Sequence, residues 1–186
     1  MQRREILQAI ALMMGNAVLS PVAAKVIEGY APVLKGKSIF KTSEVALISE
    51  IAEMIIPETK TPGAKAAKVG EFIELMLNDC YKTEDQESFK KGLAEVNNQA
   101  QGLYKKTFID LNNQQKTDVL QRIEAQAFGE RGKVKGLSFW FTIKELTVTG
   151  YFTSEIGAKQ ALEYVYVPAR YDGCMDMKPD QKTWAM

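Results

Sequence analysis

The chain has 186 residues, 46% hydrophobic and 25% charged, which is the balance and length of a single soluble globular domain. Its 24 basic and 23 acidic residues leave a net charge of +1, without the basic excess that marks a nucleic-acid binder. There is no histidine, and the only cysteines are Cys80 and Cys174, so Ser-His-Asp and Cys-His catalysis, histidine- or all-cysteine-ligated zinc, iron–sulfur clusters and Cys-x-x-Cys-His haem attachment are all excluded.

Arg3 and Arg4 precede a mostly apolar run from Ile6 to Leu19, and small residues follow at Val22, Ala23 and Ala24. This is the three-part pattern of an export signal over residues 1–24, with an apolar run shorter than the ~20 residues that cross a bilayer. The arginine pair points to the twin-arginine route, which carries folded proteins to the periplasm. An amphipathic N-terminal helix of a cytosolic protein is the alternative. Residues 25–41, broken by Gly29, Pro32 and Gly36, read as a linker.

A first helix is predicted to start near Thr42 or Ser43, both good N-caps, with Val45, Ile48, Ile51, Ala52 and Ile55 forming its apolar stripe. Pro57 ends it, and a polar loop follows from Glu58 to Gly63. The spacing predicts a second helix over Val69 to Tyr81, with Phe72, Ile73, Met76 and Leu77 on one face. Thr83 with Gln86 forms a capping box for a third, which runs to about Tyr104 on Phe89, Leu93, Val96, Ala100 and Leu103. A fourth opens at Asn112, again with a glutamine three residues on, and presents Val119, Leu120, Ile123 and Ala127 before Gly129 and Gly132 close it.

From Leu137 to Phe152 the chain is apolar on nearly every side, as in a helix buried all round. Its β-branched and aromatic content would also permit strand; helix is the expectation. Beyond Val167, Pro168, Gly173 and Pro179 keep the tail irregular, and Tyr164, Tyr166, Tyr171 and Trp184 lie in or near it. The expected fold is all-α. It is an irregular bundle of about five to six helices over residues 42–186, with an extended N-terminal segment and an irregular C-terminal tail.

Tyrosine and tryptophan are enriched at protein interfaces. Phe139, Trp140, Tyr151, Tyr164, Tyr171 and Trp184 are therefore the expected partner contacts, with the region from Leu137 to Tyr171 buried against the partner. The competing reading is a core helix plus a tail packed on its own domain. Ser154 and Glu155 near Tyr151 suggest a helix cap rather than an active site, and Glu71 with Glu74 suggests a solvated face. The eight methionines are scattered and suggest no copper site.

Two stretches carry a resemblance. One is Ile55-Ile-Pro-Glu-Thr-Lys-Thr-Pro-Gly-Ala-Lys-Ala-Ala-Lys-Val-Gly-Glu-Phe-Ile73. The other is Gly150-Tyr-Phe-Thr-Ser-Glu-Ile-Gly157, followed by Leu162, Tyr164, Pro168, Tyr171, Gly173 and Cys174. With the double-arginine start, they resemble the gluconate 2-dehydrogenase subunit 3 family, the small subunits of bacterial flavin-dependent sugar and sugar-acid dehydrogenases. The resemblance runs from about Ser43 to Cys174. It departs at Ala169-Arg170, where the family often has a glycine after the proline.

The resemblance implies a large glucose-methanol-choline type subunit that carries FAD and oxidises the sugar. A multihaem cytochrome c subunit, holding haem c, or another acceptor takes the electrons. The small subunit binds no cofactor or metal, has no catalytic residue, supplies the twin-arginine signal and helps the large subunit mature and cross the membrane. The complex is then periplasmic, and this chain meets the membrane only through it. A free-standing helical periplasmic binding protein or chaperone is the alternative. Three fates compete for Cys174: a bond to Cys80, a bond to the large subunit, and a free thiol.

Overall fold

The computed structural model describes residues 38–131, 136–167, 173–174, 176 and 179–185. The expected export signal, with Arg3 and Arg4, lies outside the described residues, as do nearly all of the linker, Gly132 and Tyr171. From Phe40 onward the described residues belong to one compact unit. Its elements are α1 (Thr42–Ile55), α2 (Val69–Cys80), α3 (Thr83–Tyr104), a 3₁₀ turn (Phe108–Asp110), α4 (Asn113–Gly129), α5 (Phe139–Thr153) and a π-helical turn (Gly157–Ala161). No strand occurs among the described residues apart from one isolated bridge between Glu163 and Trp184. The chain is all-α, as its periodicity predicts.

Helix starts follow local chemistry, with two corrections. At α1 neither Thr42 nor Ser43 is the cap: the Glu44 carboxylate accepts the Lys41 backbone N–H at 2.7 Å, so an acid in the first turn does the capping. At α4 the expected capping box forms in full. Asn112 Oδ1 accepts the Gln115 N–H at 2.9 Å, and Gln115 Oε1 accepts the Asn112 N–H at 3.2 Å. At α3 it does not form, because Gln86 turns away from its own helix start. Its Nε2 donates to the carbonyls of Leu77 (2.8 Å), Tyr81 (3.0 Å) and Asn78 (3.3 Å). Gln86 thereby satisfies carbonyls that the end of α2 leaves without helical partners.

The core forms around α5, which packs against each of the other four α-helices. Phe139, Trp140, Ile143, Leu146 and Tyr151 of α5 are buried. They meet Leu47, Ile48, Ile51 and Ala52 of α1, Ile73 and Leu77 of α2, the Phe89-Leu93-Val96-Ala100 stripe of α3, and Val119, Leu120 and Ile123 of α4 in one core. Close approach requires glycine where helices meet. A Cβ on Gly70 would lie 1.9 Å from Ser49 Oγ, where α2 meets α1, and one on Gly150 would lie 2.5 Å from the Phe72 ring. Phe89 sits at the centre of an aromatic cluster, with its ring centroid 5.0 Å from Phe139 and 6.0 Å from Phe40.

Candidate partner-binding surface

Tyr151, Ser154 and Glu155 all make contacts within the chain. The Tyr151 hydroxyl donates to the Pro62 carbonyl at 2.7 Å, which fixes α5 to the loop between α1 and α2. The Ser154 hydroxyl donates to the Tyr151 carbonyl at 2.6 Å and accepts the Gly157 N–H at 3.0 Å, so it caps the turn that follows, as the sequence suggests. Glu155 pairs with Lys159 one turn on, at 2.6 Å. Glu71 is exposed and Glu74 half-buried on α2. Among the described residues, no group of three or more histidine, cysteine, aspartate or glutamate side chains could hold a metal ion. Among the same residues, no helix is long and apolar enough to cross a membrane.

Two polar networks tie the helices together. Lys116, only 6% exposed, donates to Glu50 Oε1 at 2.6 Å, and Lys65 pairs with the other oxygen. Burial pushes the Glu50 carboxyl up, but the hydrogen bonds and charges of Lys116 and Lys65 outweigh it and hold the group below its ordinary value. Two turns further along α4, Glu124 Oε1 accepts both Lys144 Nζ at 2.9 Å and the Trp140 indole N–H at 3.1 Å. Those two bonds, the lysine's first, hold the Glu124 carboxyl down. Two shallow grooves flank α5. One of about 270 Å³ lies at its start, floored by Ile123, Ala127 and Leu137, and one of about 210 Å³ lies between α1, α4 and α5 beside Lys144.

The expected partner contacts divide sharply. Phe139, Trp140 and Tyr151 are buried within the chain's own core, at 8%, 5% and 2% exposure. The face of α5 that carries them packs against helices of the same chain. Tyr164 and Trp184 are exposed, and Tyr171 lies outside the described residues. Cys80 and Cys174 both carry free, exposed thiols. Cys80 is the last residue of α2 and faces away from the core.

Other large side chains are exposed beside these. Val165, Tyr166 and Val167 extend the run begun by Tyr164, and Tyr166 is 86% exposed. On the outer arc of α5, Val148 and Phe152 stand one turn apart, and Phe128 of α4 meets the Phe141 ring edge-on at 5.2 Å. The alternation Tyr-Val-Tyr-Val was visible in sequence, but whether it packs inward or outward was not.

The tail thus leaves Tyr164 to Val167 and Trp184 exposed, and α5 leaves Val148 and Phe152 exposed. No curated protein and no solved structure matches the chain. The family described as Gluconate 2-dehydrogenase subunit 3 matches it over residues 42–173, from the start of α1 into the tail. That match takes in the core helices, the loop after α1 and the α5-to-tail junction, and by it this chain belongs to the gluconate 2-dehydrogenase subunit 3 family.

Proposed function

We propose that this chain is the non-catalytic small subunit of a periplasmic FAD-dependent sugar or glucoside dehydrogenase of the glucose-methanol-choline type. It stabilises the large flavoprotein subunit, assists its maturation and lends it the twin-arginine signal at Arg3 and Arg4 for joint export. The observation that carries the reading is the exposed tail. Within a family named as a subunit, Tyr164 through Val167 and Trp184 leave large aromatic and aliphatic side chains in solvent. Such side chains gain most when a partner covers them. The exposed Cys174 thiol in the same tail is the one this reading offers for a bond to the large subunit in an oxidising compartment.

The test is affinity purification of the tagged chain from its native host, with an absorption spectrum of what accompanies it. A yellow flavoprotein with dye-linked sugar oxidation is the expected result, and a haem c spectrum would add the third subunit. A colourless monomer would overturn the reading in favour of a free-standing periplasmic binding protein or chaperone.

A further inference from the structure

We draw no further inference here: the strongest candidate, the cleft of about 270 Å³ that Ile123, Ala127 and Leu137 floor at the N-terminus of α5, carries nothing, because among the described residues no unpartnered buried polar side chain lines it and nothing in the structure shows what covers it.

Discussion

The Tyr151 hydroxyl and the Pro62 carbonyl meet at 2.7 Å across 89 positions of sequence, joining the last turns of α5 to the loop after α1. Tyr151 is only 2% exposed, so its hydroxyl has no water to turn to. Tyr151→Phe should destabilise the fold by about 1–2 kcal/mol, because the Pro62 carbonyl loses its partner. Thermal unfolding reads this directly. At temperatures where the variant is folded, partner affinity should be unaltered, since the ring stays in the core.

The Glu50–Lys116 pair gives a larger effect. Removing the acid leaves Lys116 buried and uncompensated, so Glu50→Ala should cost about 3–5 kcal/mol. The pair also has a pH signature. The Glu50 carboxyl lies below its ordinary value of 4.5 in the folded chain, so its contribution is fully present above that value. It is lost as pH falls from there through the lower folded value. In acid titrations followed by circular dichroism, Glu50→Gln should lack this part of the acid destabilisation.

Thr147 is completely buried on α5, and its hydroxyl has no hydrogen-bond partner. Thr147→Val replaces that hydroxyl with a methyl of nearly the same shape. It should stabilise the chain by about 1–2 kcal/mol in denaturant titrations. A loss of stability would mean that the hydroxyl has a bound water as partner.

Two glycines should respond in opposite senses. At Gly157 a Cβ would lie 1.9 Å from the Tyr151 carbonyl oxygen, a backbone atom with no room to retreat, so Gly157→Ala should destabilise by about 1–3 kcal/mol. Gly102, inside α3, has nothing within 4 Å of that position, and Gly102→Ala should stabilise by about 0.5–1 kcal/mol. Thermal melts of the two variants check both signs together.

The sequence by itself determined what depends on near neighbours. The Phe89-Leu93-Val96-Ala100 stripe and the Asn112–Gln115 box were legible because their partners sit three and four residues apart, the distance over which helical geometry acts. The resemblance to the family was legible from two short motifs and is matched over residues 42–173. Tertiary structure decided the rest. Gln86 could serve α3 or α2, and only the approach of the two helices turned it to the carbonyls of Leu77, Asn78 and Tyr81. The apolar residues of α5 could face a partner or a core, and packing against four helices of the same chain placed Phe139, Trp140 and Tyr151 inside. Exposure of Tyr164 to Val167 was equally hidden, because local composition sets which side chains are apolar, whereas burial depends on which distant segments arrive to cover them.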